Sequence, residues 1–256
     1  MDDSQSLTSL SPATVIGHRG ACGHAPENTR ASIRKASALG ASWVEFDVRI
    51  SRDRVAVLSH DDTQSRTIGT DVAVSELNIE AIKALDAGSW FDPSFAGETI
   101  PTLTETLSLL GELSLGANVE VKSVDENIAE TAHHIARQLR AEWPRTSPPP
   151  LVSSFSEDIL QGFLEAAPEI DRALLVKEIP SRWAQCLSEL KCVALHCHHD
   201  FLTQGMAAEI ISAGYALRCY TVNDPERAAE LLRWGVSSVV TDYPDRIFEH
   251  LAAVNE

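Results

Sequence analysis

Acidic, basic and imidazole side chains recur where the short apolar runs of this chain end. In chain order they are His18, Arg19, Glu45, Asp47, His60, Glu120 and Lys122. Glu45 and Asp47 are two residues apart, so both side chains leave the same face of a strand. Glu120 and Lys122 share a strand face for the same reason. If these faces turn toward one interior, three carboxylates, two cations and two imidazoles converge there.

Three converging carboxylates need a counter-charge, because each raises the pKa of the others. Oxygen ligands suit hard cations, so we predict one divalent cation, Mg²⁺ or Ca²⁺, held by Glu45, Asp47 and Glu120. Together with Arg19 and Lys122, that cation would attract an anionic oxygen group. A solvated face or a set of structural ion pairs also places two carboxylates on one strand. Apolar strands, however, do not turn acids inward unless something compensates the charge.

The two histidines of this set are suited to proton transfer. Cleavage of a phosphodiester needs one group that takes a proton from the nucleophile and one that gives a proton to the leaving alkoxide. A single histidine is more often structural than catalytic, so the catalytic assignment of His18 and His60 depends on their combination with the neighbouring acids and cations. His196, His198 and His199, at the end of a later strand, are weaker candidates for substrate contact.

The overall charge restricts the partners of the protein. The chain carries 37 acidic and 21 basic residues, a formal net charge of −16. Such a surface repels nucleic acid and anionic lipid at long range, so we predict no nucleic-acid partner and no stable membrane association. A small anionic substrate must therefore be attracted locally, by the bound cation.

The N-terminus and the cysteines favour a cytoplasmic location. The first residues lack the basic start and apolar core of a signal peptide, and no apolar run is long enough to span a bilayer. Five cysteines, an odd number without a Cys-x-x-Cys pair, argue against a disulfide framework or a thiolate zinc site. We expect them to be reduced and mostly buried. The oligomeric state stays open.

A strand-then-helix alternation predicts the fold class, which is α/β, a (β/α)₈ TIM barrel. Thr221-Val222-Asn223-Asp224-Pro225 illustrates one transition, with a strand end, a capping residue and a proline in the first helical turn. A doubly wound open sheet would give a similar rhythm. The predicted barrel strands cover residues 14–17, 43–48, 117–121, 151–154, 172–176, 193–196, 217–222 and 238–241.

One stretch departs from the alternation. After a short β segment at 55–58, turn signals, a helical piece at 75–85 and Trp90-Phe91 predict a small insertion after the second strand, over one barrel mouth. It covers about residues 61–101. We predict a single barrel domain over residues 13–256, preceded by a flexible N-terminal segment of residues 1–12.

An ordered series of motifs resembles the glycerophosphodiester phosphodiesterase family, and in particular its compact cytoplasmic bacterial members. The series covers nearly the whole chain after the first dozen residues, and it is far more specific than any single motif. The motifs are Gly17-His18-Arg19-Gly20, Ala25-Pro26-Glu27-Asn28-Thr29, Val44-Glu45-Phe46-Asp47-Val48, Val57-Leu58-Ser59-His60-Asp61-Asp62, Ala87-Gly88-Ser89-Trp90-Phe91, Ile100-Pro101-Thr102-Leu103, Asn118-Val119-Glu120-Val121-Lys122, Ser153-Ser154-Phe155, Tyr220-Thr221-Val222-Asn223 and Thr241-Asp242.

The resemblance implies a TIM barrel with this insertion and a role for each matching residue. The implied roles are catalysis by His18 and His60, metal binding by Glu45, Asp47 and Glu120, phosphate binding by Arg19 and Lys122, orientation of Arg19 or the substrate by Glu27, and a pocket wall of Phe155 and Tyr220. The family usually has Trp where Tyr220 stands, which puts the leaving-group preference in doubt. The turn at residues 50–54 lacks the common Thr and Gly, which affects only the turn geometry.

These observations predict metal-dependent hydrolysis of glycerophosphodiesters, such as glycerophosphocholine or glycerophosphoethanolamine, to sn-glycerol 3-phosphate and an alcohol. His18 is assigned as proton acceptor and His60 as proton donor; direct attack by water and a cyclic phosphate intermediate both stay open. Two alternatives remain. One is a phosphodiesterase of the same fold that acts on lysophospholipids. The other is a catalytically silent barrel that binds a glycerophosphate ligand, although a binder needs no acid–base pair.

Overall fold

The computed structural model describes residues 14–122 and 127–254. The predicted flexible segment, residues 1–12, lies outside the described residues. The elements, in chain order, are β1 (Val15–Gly17), α1 (Arg30–Ala38), β2 (Trp43–Ile50), β3 (Ala56–Leu58), β4 (Thr63–Gln64), β5 (Thr70–Ala73), α2 (Ile79–Lys83), α3 (Leu103–Leu113), β6 (Gly116–Val121), α4 (Ile128–Glu142), β7 (Leu151–Ser154), α5 (Glu157–Ala166), β8 (Asp171–Val176), α6 (Trp183–Glu189), β9 (Ala194–His198), α7 (Gln204–Ser212), β10 (Ala216–Tyr220), α8 (Pro225–Arg233), β11 (Ser238–Thr241) and α9 (Pro244–Ala253).

Eight parallel strands close into a barrel. Around the barrel the order is β1, β11, β10, β9, β8, β7, β6 and β2. β1 pairs with β11 over its whole length and also with β2, where Gly17 is opposite Val44. Because the first and last strands pair directly, the predicted TIM barrel is confirmed, and a doubly wound open sheet is excluded.

The insertion lies between β2 and α3, as predicted. It begins after β3, which runs antiparallel to β2. It contains the β4–β5 hairpin, α2 and two short 3₁₀ turns, Val74–Glu76 and Pro93–Phe95. Its apolar residues form a small core of their own together with β3. That core consists of Val57, Val74, Ile82, Ala87 and Ile100.

Local sequence explains where several helices begin. Asp224 accepts a hydrogen bond from the Glu226 backbone N–H, and Pro225 occupies the first turn of α8, as the sequence predicts. At the start of α3, Thr102 and Glu105 form a reciprocal capping box. These caps satisfy N–H groups that a helix end otherwise leaves without partners.

Apolar side chains fill the space between the barrel and its helices, and also part of the barrel interior. The interior cluster consists of Ile16, Trp43, Leu151, Ala173, Ala194 and Val240. All five cysteines are free, and four of them are buried. Among the described helices, none combines the length and the hydropathy that a bilayer-crossing segment requires.

Candidate active site

Three buried carboxylates meet at the carboxyl-terminal mouth of the barrel. Glu45 and Asp47 lie on β2, and Asp47 is in register with Glu120 on the neighbouring β6. One oxygen of each carboxylate lies within 4.8 Å of the others. The i, i+2 spacing on one strand and the parallel pairing of the next strand therefore bring the three predicted ligands together.

Two cations lie against this cluster. The Lys122 ammonium contacts Asp47 Oδ1 at 2.8 Å and also Glu120 Oε1. Arg19 Nε lies 3.5 Å from Asp47 Oδ2. Although burial opposes ionisation, Lys122 and Arg19 hold the pKa of Asp47 below its usual range. Asp47 is therefore a carboxylate at neutral pH.

The other two acids are less well compensated. Burial and the charge of Asp47 raise the pKa of Glu120 to about 7. Burial, Asp47 and Glu120 together raise the pKa of Glu45 well above its usual value. Glu45 Oε2 accepts the Arg19 backbone N–H at 3.0 Å, whereas the buried Oε1 has no hydrogen-bond partner among the described residues. Three oxygen donors, excess negative charge and one unpartnered oxygen fit a hard divalent cation.

The loop after β1 carries Arg19 and Glu27 into the mouth. Arg19 adopts a left-handed backbone with φ of 49°, and Gly20 follows with φ of 89°. A Cβ at Gly20 would lie 2.3 Å from Ser32 Oγ, so only glycine lets this loop pack on α1. Arg19 Nη1 donates to Glu27 Oε1 at 2.7 Å. Arg19 and Glu27 are therefore in direct contact.

The insertion is tied to the same loop by Arg66. Its two terminal nitrogens donate to Glu27 at 2.7 and 2.6 Å, and its Nε donates to Asp61 at 2.8 Å. Burial opposes ionisation of Glu27, but the hydrogen bonds from Arg66 and the charge of Arg19 keep its pKa below the usual range. Glu27 thus joins the insertion to the barrel through two guanidinium groups.

His18 lies at the mouth between two carboxylates. Its Nδ1 lies 2.6 Å from Asp242 Oδ1, and its Nε2 lies 3.9 Å from Glu45 Oε2. Asn223 donates to the second oxygen of Asp242 at 2.6 Å, and the Cys22 thiol donates to the first at 2.9 Å. Burial opposes ionisation of Asp242, yet the His18 hydrogen bond lowers its pKa below the usual range.

His60 follows β3 and is held by its chain neighbour. His60 Nδ1 lies 2.7 Å from Asp61 Oδ1, and its carbonyl accepts two hydrogen bonds from Arg49 at 3.1 and 2.8 Å. Burial lowers the pKa of His60; the charge of Asp47 opposes this shift, and the charges of Arg19 and Lys122 add to it. A neutral imidazole is therefore favoured at neutral pH.

Asn28 fixes the position of Asp47. Its amide nitrogen donates to Asp47 Oδ2 at 2.8 Å, and its amide oxygen accepts the Asp47 backbone N–H at 3.2 Å. Asn28 is buried and has a left-handed backbone with φ of 55°. A strained non-glycine residue that holds a carboxylate with both ends of its amide is typical of a functional site.

An aromatic wall occupies the other side of the mouth. The rings of Phe155 and Tyr220 meet edge to face at 6.1 Å, and His198 meets Tyr220 in the same way at 5.8 Å. The Tyr220 hydroxyl donates to the Val176 carbonyl at 2.9 Å. His196, two residues earlier on β9, is buried inside the barrel at 2% exposure, which excludes direct substrate contact in this conformation.

The residues to which the resemblance assigns roles lie at this mouth, whereas His196 does not, and the sequence did not indicate several of their partners. Asn28 and Asp242 belong to the motifs of the resemblance, but the resemblance implies no role for either residue, and Arg66 lies in the insertion. Asp242 follows the last strand, so the rule that barrel active sites lie at strand ends would have pointed to it. Nothing in local spacing connects Arg66 with Glu27, because 39 residues separate them.

The fold and the site together define a barrel hydrolase of phosphoric diesters. Residues 18–246 match the model of the glycerophosphoryl diester phosphodiesterase family. A phosphodiesterase of Oleispira antarctica, solved in complex with the product sn-glycerol-3-phosphate, is 38% identical and superimposes with a TM-score of 0.90 over 93% of this chain and 96% of that one.

The sequences of two glycerophosphodiester phosphodiesterases also match this chain over most of its length. One from Caldanaerobacter subterraneus subsp. tengcongensis is 30% identical over 91% of this chain and 95% of its own. One from Bacillus subtilis is 31% identical over 92% of this chain and 86% of its own. The chain belongs to the glycerophosphoryl diester phosphodiesterase family, so the predicted resemblance and the predicted enzyme class are confirmed.

Proposed function

We propose that the protein hydrolyses glycerophosphodiesters to sn-glycerol 3-phosphate and an alcohol, with one divalent cation and the pair His18 and His60. The observation that carries the proposal is the meeting of three carboxylates, two cations and His18 within one barrel mouth. The product bound to the Oleispira antarctica phosphodiesterase supports the same product class here. Because the chain is a hydrolase, the catalytically silent alternative no longer applies.

Glu45, Asp47 and Glu120 would hold the cation, either Mg²⁺ or Ca²⁺. When bound, such an ion would supply Lewis acidity and positive charge to the phosphoryl group. Arg19 and Lys122 bind and orient the same phosphoryl group from the two sides of Asp47. Glu27 keeps the Arg19 guanidinium in place. Phe155 and Tyr220 form the apolar wall and exclude water from one side of the substrate.

The surroundings of the two histidines favour the reverse of the assignment made from sequence, with His60 as proton acceptor and His18 as proton donor. Burial lowers the pKa of His60, so its neutral imidazole is ready to take a proton from the attacking oxygen. The carboxylate of Asp242 lies on Nδ1 of His18 and orients the ring, so that Nε2 gives the proton to the leaving alkoxide. As the new P–O bond forms and the P–O bond to the alcohol breaks, one proton is taken and one is returned.

Phosphorus NMR of glycerophosphocholine turnover tests this proposal. Protein stripped with EDTA should be inactive and should regain activity with Mg²⁺ or Ca²⁺, and the phosphorus product should be sn-glycerol 3-phosphate. A transient cyclic glycerophosphate signal would identify the glycerol hydroxyl as nucleophile, and its absence would favour water. Phosphocholine as product, or full activity without metal, contradicts the proposal.

Lysophosphatidylcholine serves as the competing substrate. Faster release of choline from this lipid than from glycerophosphocholine would favour the lysophospholipid alternative. Co-sedimentation with lipid vesicles would support the same conclusion. We keep the cytoplasm as the proposed compartment because all five cysteines are free.

A further inference from the structure

The barrel interior below the candidate active site contains a buried cation. Arg218 of β10 is 1% exposed and is among the largest fully buried side chains of the described residues. Ala216 and Tyr220, each two residues away on the same strand, pack on the interior cluster. Residues two apart share a strand face, so Arg218 also points inward. Its guanidinium carbon lies 5.5 Å from the centroid of the Trp43 ring, so the side chain reaches through the interior toward β2.

Polar side chains without protein partners share this interior. Arg218 is in register with His196 on β9 and with Ser238 on β11. Strand alternation turns these side chains inward, together with Ser153 of β7 and Asn118 of β6. Within the part of the chain that the structure describes, the following buried atoms have no hydrogen-bond partner: Arg218 Nε and Nη1, His196 Nε2, Ser153 Oγ, Ser238 Oγ and Asn118 Oδ1.

Small side chains on three adjacent strands face the interior near Arg218. The inward positions of β8, β9 and β10 toward their starts include Ala173, Ala194 and Ala216, whose side chains are single methyl groups. TIM-barrel interiors are usually filled by layers of larger branched side chains. Arg218 therefore has alanines on its own strand and on the next two strands, β9 and β8, whereas Trp43 packs against its guanidinium.

The charge of Arg218 is not neutralised by a neighbouring acid. Burial lowers its pKa to about 10, so it stays positive at neutral pH. Asp171 is the acid nearby, but no ion pair joins the two among the described residues, and burial raises the pKa of Asp171. Burial also lowers the pKa of His196 well below its usual value, which makes that ring neutral. An isolated buried charge is costly unless it is paired.

We propose that the unpartnered polar groups of Arg218, His196, Ser153, Ser238 and Asn118 bind a small inorganic anion of halide size between them. Arg218 donates through Nε and Nη1, and the serine hydroxyls and the His196 Nε2–H donate in addition. Asn118 donates once its amide is rotated, an assignment that the hydrogen-bond network decides. Water satisfies the hydrogen bonds of these groups, but only an anion also neutralises the guanidinium.

Thermal unfolding of the metal-loaded protein tests the site in solution. Sodium bromide or chloride is titrated against sodium gluconate at constant ionic strength, since gluconate is too large for the interior. At ten times the dissociation constant the halide should raise the unfolding midpoint by about 3–5 °C, and the effect should saturate. Arg218→Met should abolish the shift, whereas Arg140→Met, which removes an equal charge from an exposed ion pair with Glu169, should keep it.

A crystal of the unaltered protein grown in bromide decides the matter even if Arg218→Met does not fold. An anomalous peak within hydrogen-bonding distance of Arg218 Nε or Nη1 supports the proposal. Density there without anomalous signal identifies water and overturns it. A halide shift that does not saturate, or that survives in a folded Arg218→Met, also overturns it.

Discussion

His18 and Asp242 are joined by a 2.6 Å contact between Nδ1 and Oδ1, although 224 residues separate them in the chain. The contact links the ends of β1 and β11, the two strands that close the barrel. A nearly identical pair, His24 Nε2 and Asp245 Oδ1 at 2.8 Å, links the same two segments without any contact to the carboxylate cluster among the described residues. Barrel closure therefore creates one histidine–aspartate pair at the site and one beside it.

This duplication gives a matched test of Asp242. Asp242→Asn keeps the size of the side chain but removes the negative charge that accepts the hydrogen bond from His18 Nδ1. We expect kcat to fall about 10–100-fold, as is usual for a group that orients a functional side chain. Asp245→Asn removes the same charge three residues away and should leave kcat unchanged. Equal effects of the two substitutions in steady-state assays would refute an orienting role for Asp242.

Removal of either proposed acid–base group should affect rate rather than folding. His18→Ala and His60→Ala should each lower kcat by about 10²–10⁴-fold, with unfolding midpoints close to that of the unaltered protein. A substrate with a good leaving group, such as a nitrophenyl ester, should restore much of the rate to the variant that lacks the proton donor. We expect that restoration for His18→Ala. Restoration for His60→Ala instead would support the sequence-based assignment.

The side-chain amide of Asn28 should affect metal affinity, whereas its left-handed backbone should affect the free energy of unfolding. Asn28→Gly keeps the left-handed backbone but loses both hydrogen bonds to Asp47, whereas Asn28→Ala also strains the backbone. We expect both variants to bind metal about 10–100-fold more weakly. The alanine variant should in addition lose roughly 1–2 kcal/mol of unfolding free energy relative to the glycine variant. Metal titration and urea unfolding measure the two effects, and equal stability of the variants would contradict the strain argument.

Metal binding should strengthen as pH rises toward 7. The pKa of Glu120 is raised to about 7 in the folded protein, against about 4.3 for an unfolded glutamate, so the metal-free folded state holds a proton that the unfolded state lacks between these values. Metal-free stability should therefore fall as pH rises through this window. The cation displaces the proton, so the metal-induced rise in unfolding midpoint should grow from pH 5 to 7 and then level off. A midpoint shift that is flat across this range would contradict the prediction, and Glu120→Gln should reduce the dependence to the part that Glu45 contributes.

Arg66 should couple the insertion to catalysis. Arg66→Ala removes the hydrogen bonds to Glu27 and Asp61, so the insertion loses its connection to the loop that carries Arg19. We expect kcat/KM to fall roughly tenfold, less than the 10²-fold loss that a misplacement of about 1 Å can cause. Limited proteolysis should cleave the insertion faster. Arg34→Ala, which breaks an exposed ion pair with Glu112, is the matched control and should change neither measurement.

Much of the site was predictable from strand periodicity. Glu45 with Asp47, and Glu120 with Lys122, share strand faces because side chains alternate, and parallel neighbours align such faces at one mouth. The helix starts at Thr102 and Asp224 also depend on local sequence, since a helix cap involves residues within one turn. For these features the chain carries the information in adjacent positions.

Other features depended on chain closure, which no local pattern encodes. The pairing of β1 with β11 brings Asp242 to His18, and the folding of the insertion brings Arg66 to Glu27. Burial also decides protonation: Asp47, Glu45 and Glu120 are all carboxylic acids in the sequence, yet only the packed barrel lowers the pKa of the first and raises those of the other two. The positions along the chain indicate which groups share a strand face, because side-chain alternation is a property of the strand. The tertiary structure alone decided which groups touch and which hold protons, because both depend on distance and desolvation between segments far apart in the chain.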